Sequence, residues 1–273
     1  MPDQRSLPPD LYTEEYFLNA CEGYQEFTES HGDRLSRRLT AAFAVAAVGP
    51  GMKVLDVGCG RGEILRQCAR LGADAYGVDY APVAVEMASR AVAGERDAPG
   101  AIGSAYVARS DAKRLPFPDG FFDRALMFDV VEHLFPWELE QSLAEIARVL
   151  RPGGAFIVHT APNVWYDRYA YPLVRLARTL MGQGARYPKN PRALNVSANV
   201  KVHVNEQSQW SLRSTLQRAG FRHVRAWLES PPQSRHEGAL LAGARLVLFR
   251  LPPFRYFFER EVFAVGVKPA GDE

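Results

Sequence analysis

The centre of the chain alternates short apolar runs with stretches of helical periodicity, and this alternation constrains the fold more than any other feature. Residues 53–57 predict the first strand, and a glycine-rich turn then leads into a helix over about 63–71. Further strands are predicted at 75–79, 106–108, 123–128 and 155–160, with helices beginning at Pro82 and spanning 137–150. Because strands and helices alternate, we expect an α/β fold with a parallel, helix-covered sheet.

After Thr160, the alternation of short apolar runs and helical stretches ends. Pro162, Pro172, Pro188 and Pro191 punctuate the following segment, which has one predicted helix over 173–181 and which we interpret as a lid or substrate lobe. A helix over 209–219, a strand over 221–228 and a terminal strand over 257–267 are then predicted. The expected organisation is an N-terminal helical cap (1–50), a core (51–162), the insertion (163–202) and a C-terminal part of the core (203–273) with a second insertion at about 231–255.

Composition bounds the class of protein. With 47% hydrophobic and 23% charged residues in 273, the chain has enough apolar material for a core and too little net charge for disorder. The longest apolar stretch, residues 41–48, is far shorter than a membrane span, and the N-terminus has no secretory pattern. Three cysteines form neither a disulfide framework nor a zinc motif. We therefore expect a cytoplasmic protein.

Positive charge is concentrated in one part of the chain. Residues 163–201 contain seven basic residues and one acid, although the whole chain has a net charge of only +2. This asymmetry predicts an anionic partner. The alternative is that these side chains are solubilising charges on an exposed loop.

The glycine-rich turn at 57–62 follows a strand and precedes a helix, where an open sheet offers free backbone N–H groups to a ligand. Glycines allow a ligand to approach the backbone closely. The spacing is G-x-G-x-G rather than the G-x-G-x-x-G of dinucleotide-binding turns, which argues against NAD. Asp79 ends the second predicted strand, where a carboxylate can accept hydrogen bonds from both hydroxyls of a ribose.

Four motifs occur in a familiar order: VLDVGCGRG at 54–62, VD at 78–79, SDAKRLPFPDGFFD at 110–123 and LRPGG at 150–154. In these motifs the chain resembles the class I S-adenosylmethionine-dependent methyltransferases. The resemblance implies a seven-stranded, Rossmann-like, doubly wound sheet whose last strand is antiparallel. It also implies S-adenosylmethionine as cofactor, with Asp56 and the backbone of Gly58 and Gly60 at the methionine end, Asp79 at the ribose, and Asp111 at the adenine. The complete set expected at the cofactor is Asp56, Gly58, Cys59, Gly60, Gly62, Asp79, Tyr80, Asp111, Ala112 and Phe128.

Directly after the fourth predicted strand, the sequence DVVEH places Asp129, Glu132 and His133 at offsets that can bring them to one face of a helical turn. This spacing is similar to the E-x-x-E-H metal set of ubiquinone-biosynthesis O-methyltransferases and plant small-RNA 2′-O-methyltransferases, with Asp129 replacing the first glutamate. The resemblance to the RNA enzymes adds His203. Two carboxylates and two imidazoles would suit manganese, iron or zinc better than magnesium.

The same residues permit a site without metal, which is the arrangement we favour. His133 or His203 would then be the general base, with Glu132 beside them in the catalytic set, because an imidazole accepts a proton near neutral pH. His159, at the end of the fifth predicted strand, is a third candidate base, or a hydrogen-bonding residue of the sheet edge.

The leading hypothesis is O-methylation of a hydroxyl on a small, anionic acceptor: a glycan, a lipid-linked compound or a secondary metabolite. The alternatives are C- or N-methylation of a natural product and a non-catalytic regulatory subunit that binds S-adenosylmethionine. We expect no DNA partner, and RNA is disfavoured because the basic segment contains no recognisable RNA-binding module. The predicted helix over 173–181 carries Leu173, Leu176 and Leu180 on one side, and it could lie on a membrane surface, pack on the domain or form a homodimer contact.

Overall fold

A seven-stranded sheet forms the centre of the computed structural model, which describes residues 5–21, 23–30, 32–96, 103–194, 196–229 and 239–271. The strand order is β3-β2-β1-β4-β5-β7-β6. The strands span Lys53–Val57 (β1), Asp74–Asp79 (β2), Ser104–Arg109 (β3), Phe122–Phe128 (β4), Leu150–Thr160 (β5), Arg222–Leu228 (β6) and Val262–Val267 (β7).

The first five strands are parallel, and β7 pairs antiparallel with both β5 and β6. This arrangement confirms the predicted doubly wound sheet with an antiparallel last strand. In β1, Val54, Leu55 and Val57 are completely buried, as expected for a parallel strand covered on both faces. The carboxyl ends of β1, β2 and β4 therefore meet at one edge of the sheet, which is where open α/β sheets bind ligands.

Helices cover both faces of the sheet. They span Glu14–Asn19 (α1), Tyr24–Ser30 (α2), Arg37–Ala46 (α3), Glu63–Arg70 (α4), Pro82–Arg96 (α5), Pro136–Val149 (α6), Tyr171–Leu180 (α7), Asn199–Val202 (α8), Gln209–Arg218 (α9), Ala239–Arg250 (α10) and Arg255–Phe258 (α11). One face is packed by apolar residues of α6 and α9, the other by those of α3, α4 and α5. None of the helices in the described ranges has both the length and the apolar character needed to cross a bilayer.

Most strand boundaries lie within two residues of the sequence-based prediction, but the starts of β5 and β7 differ more. Strand β5 begins at Leu150, not at Ala155, because the pairing of β4 with β5 shifts register, so that Phe122 pairs with Leu150 and Arg124 with Ala155. Strand β7 begins at Val262, because the apolar residues before it form the short helix α11. The predicted second insertion contains α10, and its residues 230–238 lie outside the described part.

The N-terminal segment lies over the carboxyl edge of the sheet. Tyr12, Tyr16 and Phe17 are buried against Ala84 and Met87 of α5. The aromatic residues that begin the chain thus pack on the core and, at the same time, reach the edge where β1, β2 and β4 end.

Candidate active site

The glycine turn between β1 and α4 is held against the carboxyl edge of the sheet. The backbone N–H of Gly58 donates to the Val78 carbonyl at 2.8 Å. Gly58 has a φ of +77°, and a Cβ added there would lie 2.4 Å from Cγ2 of Val130. Any side chain at this position would be strained and would collide with its neighbour, so the sequence requires glycine here.

Two carboxyl groups flank the turn. Asp79 accepts hydrogen bonds from the N–H of Gly60 at 3.1 Å and of Ala81 at 2.9 Å, while burial raises its pKa. Burial, Asp79 and Glu63 raise the pKa of Asp56 to about 8. A ligand carrying positive charge would be stabilised here, because it would offset the repulsion between these buried acids.

The predicted cofactor residues surround one cavity, which we call the loop cavity. Its walls include all of them except Gly62, which abuts Ala88 of α5. At the far end, Asp111 accepts from the N–H of Lys113 at 2.9 Å, and its other oxygen lies 2.8 Å from Nζ of Lys113. Backbone donors, a buried carboxylate at a strand end and a polar far edge match a ligand with a cationic end, a diol and a purine.

The N-terminal segment closes this cavity with Leu7, Tyr12, Tyr16, Phe17 and Cys21. A residue that the sequence did not single out, Arg61, holds it in place. Arg61 is buried in the glycine turn, where it donates to the Phe17 carbonyl at 2.8 Å and pairs with Glu63 at 2.8 Å. In the sequence, the only sign that Arg61 has a special role was the presence of a charged residue inside a glycine-rich turn.

A second cavity adjoins the first and shares Tyr16, Cys21, Asp129 and His133 with it. We call it the histidine cavity. The remaining walls come from the N-terminal helices, from the segments after β4 and β5, from the insertion with the histidine after it, and from the segment before β7: Asn19, Ala20, Gly23, Tyr24, Gln25, Glu26, Arg38, Glu132, Ala161, Pro162, Val196, Asn199, His203 and Arg260.

Backbone hydrogen bonds bring the two predicted catalytic histidines together. The N–H groups of Val204 and Asn205 both donate to the Glu132 carbonyl, at 2.8 and 3.1 Å. The rings of His133 and His203 consequently lie 4.9 Å apart at nearly a right angle. Glu132, His133 and His203 each offer a ligand atom, all within 4.8 Å of one another. Three of the four predicted metal ligands therefore form a cluster whose donor types suit a divalent metal.

The two imidazoles are neutral near pH 7. Burial lowers the pKa of His133 to about 4, and burial together with His133 lowers that of His203 to about 3. Nδ1 of His133 lies 3.2 Å from the Tyr12 hydroxyl. Within the described ranges, Nδ1 of His203 is buried without a hydrogen-bond partner and lies 4.0 Å from Oε1 of Glu206.

Burial and a nearby carboxylate favour the protonated form of Glu132. Its Oε2 accepts from the Thr160 hydroxyl at 2.7 Å, and burial together with Asp129 raises the pKa of the carboxyl group. A protonated carboxyl group is a poor metal ligand, so a metal would first have to displace this proton.

The fourth predicted ligand, Asp129, is engaged elsewhere. It lies at a φ of +56°, and its Oδ1 is 2.8 Å from Nδ1 of His159 and 3.3 Å from Arg38. Glu261 completes a closed network, at 2.9 Å from Nε2 of His159 and 3.0 Å from Arg38. Burial alone would raise the pKa of Asp129, but the two cations outweigh it and hold the pKa well below its usual range.

This network decides between the two roles proposed for His159, a third candidate base or a hydrogen-bonding residue of the sheet edge, in favour of the second. Burial alone would lower the pKa of His159, but the carboxylates of Asp129 and Glu261 raise it to about 9. His159 is therefore already protonated at neutral pH and cannot serve as a base there. The sequence analysis did not identify Arg38 or Glu261. The only sign in the sequence was that Glu261 directly precedes an apolar strand.

Comparison with known proteins places these features in context. Residues 55–158 match the model of the family described as "Methyltransferase domain". The demethylmenaquinone methyltransferase of Parafrankia sp. is 32% identical over 202 residues, which cover 68% of this chain and 76% of that protein. The ubiquinone/menaquinone biosynthesis C-methyltransferase UbiE of Shewanella halifaxensis is 26% identical over 68% of this chain and 74% of that protein.

A shorter match is found to the O-methyltransferase cnsE of Penicillium expansum, which is 34% identical over 135 residues. The match covers 49% of this chain and 46% of that protein, so the chain spans less than half the length of this relative.

Solved structures share the fold. A methyltransferase in complex with the Haloferax volcanii Trm112 methyltransferase activator matches with a TM-score of 0.60 at 20% identity, over 94% of this chain and 99% of that one. Geranyl diphosphate methyltransferase in complex with GPP and sinefungin matches with a TM-score of 0.53 at 18% identity, over 84% of this chain and 77% of that one.

Proposed function

The chain belongs to the class I S-adenosylmethionine-dependent methyltransferases, with S-adenosylmethionine as its cofactor, and from this premise we propose that it methylates a hydroxyl oxygen of a small acceptor. The observation that carries the proposal is that the loop cavity adjoins the histidine cavity along residues that include His133, whose ring lies 4.9 Å from that of His203. A cofactor in one cavity and an acceptor in the other would meet at this junction.

The proposed cofactor contacts are those that the family resemblance implies, and these residues line the loop cavity. Asp56 and the backbone of Gly58 and Gly60 would hold the methionine end, Asp79 the ribose and Asp111 the adenine. S-adenosylmethionine supplies a methyl group bonded to a positively charged sulfur, which is already activated for transfer. The protein's contribution is then to position the acceptor and to take up its proton.

We assign the proton acceptor as His203. A hydroxyl is a weak nucleophile until its proton is removed, and a neutral imidazole can accept that proton. Tyr12 and the backbone carbonyl of Val202 already engage His133, whereas Nδ1 of His203 has no such partner among the described residues. The carboxylate of Glu206, 4.0 Å from this Nδ1, would stabilise the imidazolium once His203 is protonated.

The insertion 163–202 is proposed to select the acceptor. It contributes Val196 and Asn199 to the histidine cavity, and Arg260 adds a guanidinium to the same wall. Together with the excess of positive charge in the insertion, this favours an anionic acceptor such as a glycan, a lipid-linked compound or a secondary metabolite. Oxygen is also the acceptor named for the Penicillium relative.

Carbon methylation is the second candidate, because the similar UbiE is named as a C-methyltransferase. The two candidates differ in the bond that the methyl group forms. C-methylation joins the methyl group to carbon and releases a proton from that carbon or from an adjacent hydroxyl, so it too can need a base, and the linkage of the transferred label separates the two candidates. For O-methylation we expect His203→Gln to lower kcat by about 10²- to 10⁴-fold, the usual contribution of a general base.

The experiment follows labelled methyl from S-adenosylmethionine into lipid, glycan, nucleic-acid and small-molecule fractions of a cell extract. The wild type, His203→Gln and a control, His223→Gln at an exposed position on β6, are compared. Label released as methyl iodide by hydriodic acid is ether-bound, and label retained is carbon-bound. Loss of turnover only in His203→Gln, with unchanged cofactor affinity, supports the proposal.

Two further outcomes would contradict it. Cofactor binding without transfer to any fraction would favour a non-catalytic binding protein. Transfer that chelation abolishes and that manganese or zinc restores would assign Glu132, His133 and His203 to a metal instead.

A further inference from the structure

On helix α7, leucine side chains face solvent and arginine side chains face the protein, which is the reverse of an ordinary surface helix. Leu173, Leu176 and Leu180 are 61%, 59% and 81% exposed, and Met181 directly after the helix is 63% exposed. The leucines lie at offsets of 0, 3 and 7, which places them on one stripe of the helix. An ordinary surface helix turns such a stripe toward the core.

The arginines of α7 fix this orientation. Arg175 donates to the Tyr187 carbonyl at 3.1 Å, and Arg178 donates to Gln183 at 2.9 Å, so both arginines are half-buried against the protein. Tyr171 is buried and donates to the Pro188 carbonyl at 2.7 Å. Turning the leucines inward would break all three hydrogen bonds, so the leucine face is held outward by its own anchoring.

Single exposed leucines are normal, but a contiguous apolar stripe on a protein surface indicates an interaction site. Other exposed apolar residues occur nearby in the fold. Helix α11 contacts both α10 and the turn 166–170 that leads into α7. On and after α10, Leu246, Leu251 and Phe254 are 60%, 50% and 46% exposed.

Aromatic and basic residues accompany these apolar side chains. Tyr169 and Trp210 are 48% and 42% exposed, and Trp165 stacks on Trp210 at 4.3 Å between ring centroids. Arg186 and Lys189, just after α7, are exposed as well. Exposed leucines, half-exposed tryptophan and tyrosine, and lysine and arginine are the composition of a helix that lies in a membrane interface.

We propose that the leucine face of α7 docks on the surface of an anionic lipid bilayer, with the helix in the interfacial plane. Charge decides between this occupant and a second copy of the chain. The exposed charged residues that flank α7 in the insertion, Arg168, Arg186 and Lys189, are all basic, so a symmetric dimer through this face would bring like charges together. An anionic bilayer accepts both the leucines and the surrounding charge.

The docking proposal is independent of the methyl acceptor and is tested without turnover. The full chain is mixed with vesicles of phosphatidylcholine, or of phosphatidylcholine with about one third phosphatidylglycerol, and floated on a density gradient. The expected result is co-flotation with the anionic vesicles that weakens as salt is raised. The double variant Leu176→Gln/Leu180→Gln should reduce vesicle affinity at least about tenfold.

The matched control is Leu71→Gln, which removes a 44% exposed leucine after α4 and should leave vesicle binding unchanged. Arg186→Gln/Lys189→Gln should weaken binding to anionic vesicles and reduce its salt dependence. Unchanged affinity for S-adenosylmethionine in each variant shows that the fold is intact.

Three results would overturn the proposal. The first is a wild type that floats with neither vesicle, and the second is vesicle binding that the leucine double variant leaves intact. The third is a wild-type dimer in sedimentation analysis that this variant converts to a monomer, since a second copy would then cover the face.

Discussion

The loop cavity and the histidine cavity share four wall residues but stabilise their polar groups in different ways. In the loop cavity, the Asp79 carboxylate is satisfied by two backbone N–H groups, both within 3.1 Å. On the side of the histidine cavity, Asp129, which lines both cavities, is satisfied by side chains from distant segments, His159 and Arg38. Backbone donors fix a site through local geometry, whereas a side-chain network can be changed by substitution at any of its members.

This difference suits two different ligands. A cofactor that is the same in every reaction is held by a turn whose geometry depends on glycines and strand ends. The proposed acceptor side is assembled from the N-terminal helices, the segments after β4 and β5, the insertion and the segment before β7. These pieces can vary without disturbing the loop cavity, so the fold can change its acceptor and keep its cofactor.

The side-chain network around Asp129 is tested most strongly by removing one of its carboxylates. In Glu261→Gln, the cations His159 and Arg38 would lose a partner in a buried setting, and we expect a loss of about 3–5 kcal/mol in the free energy of unfolding. Urea denaturation measures the loss, and Glu140→Gln, at an exposed position on α6, is the control. Cofactor affinity of the folded fraction should stay near the wild-type value. A loss below about 1 kcal/mol would mean that the network contributes little more than a surface ion pair.

The glycine turn allows a matched test of the loop cavity. Gly51→Ala and Gly58→Ala introduce the same side chain at nearly the same φ, +75° and +77°, but only the Cβ at 58 meets a neighbour. We expect a cost of about 1 kcal/mol for Gly51→Ala from backbone strain, and about 1–3 kcal/mol more for Gly58→Ala from its overlap with Val130.

A second substitution tests whether the overlap with Val130 causes the additional loss of stability in Gly58→Ala. Adding Val130→Ala to Gly58→Ala removes the overlapping methyl groups and should restore part of the lost stability in thermal unfolding. Equal losses for Gly51→Ala and Gly58→Ala would show that packing against Val130 does not constrain the turn.

The sequence predicted the loop cavity better than the histidine cavity, because local patterns reveal strand ends but not contacts between distant segments. Strand β1 was predicted with its observed bounds, and the loop-cavity residues follow strand ends that local periodicity reveals. Asp129 and Arg38 are 91 positions apart, and no local pattern links them. The sequence left the role of His159 open, because its pKa depends on Glu261, which lies 102 positions away and reaches it through the antiparallel pairing of β5 and β7.

The contributions of Asp56 and His203 to stability change with pH in opposite directions, because one group is an acid and the other a base. Burial raises the pKa of Asp56 from 3.8 to about 8, so its contribution is complete at low pH and is lost as the pH rises toward 8. Burial and His133 lower the pKa of His203 from 6.5 to about 3, so its contribution is present above pH 6.5 and is lost as the pH falls.

Difference curves isolate these two effects in the cofactor-free protein. The unfolding free energy of the wild type minus that of Asp56→Asn should fall as the pH rises between about 4 and 8, by roughly 1 kcal/mol per pH unit. The corresponding difference for His203→Gln should rise with pH between about 3 and 6.5, with a similar slope. Each curve serves as the control for the other, because opposite slopes cannot arise from a general effect of net charge. Slopes of the same sign would mean that burial does not keep both groups neutral, and the proposed neutral base at His203 would lose its support.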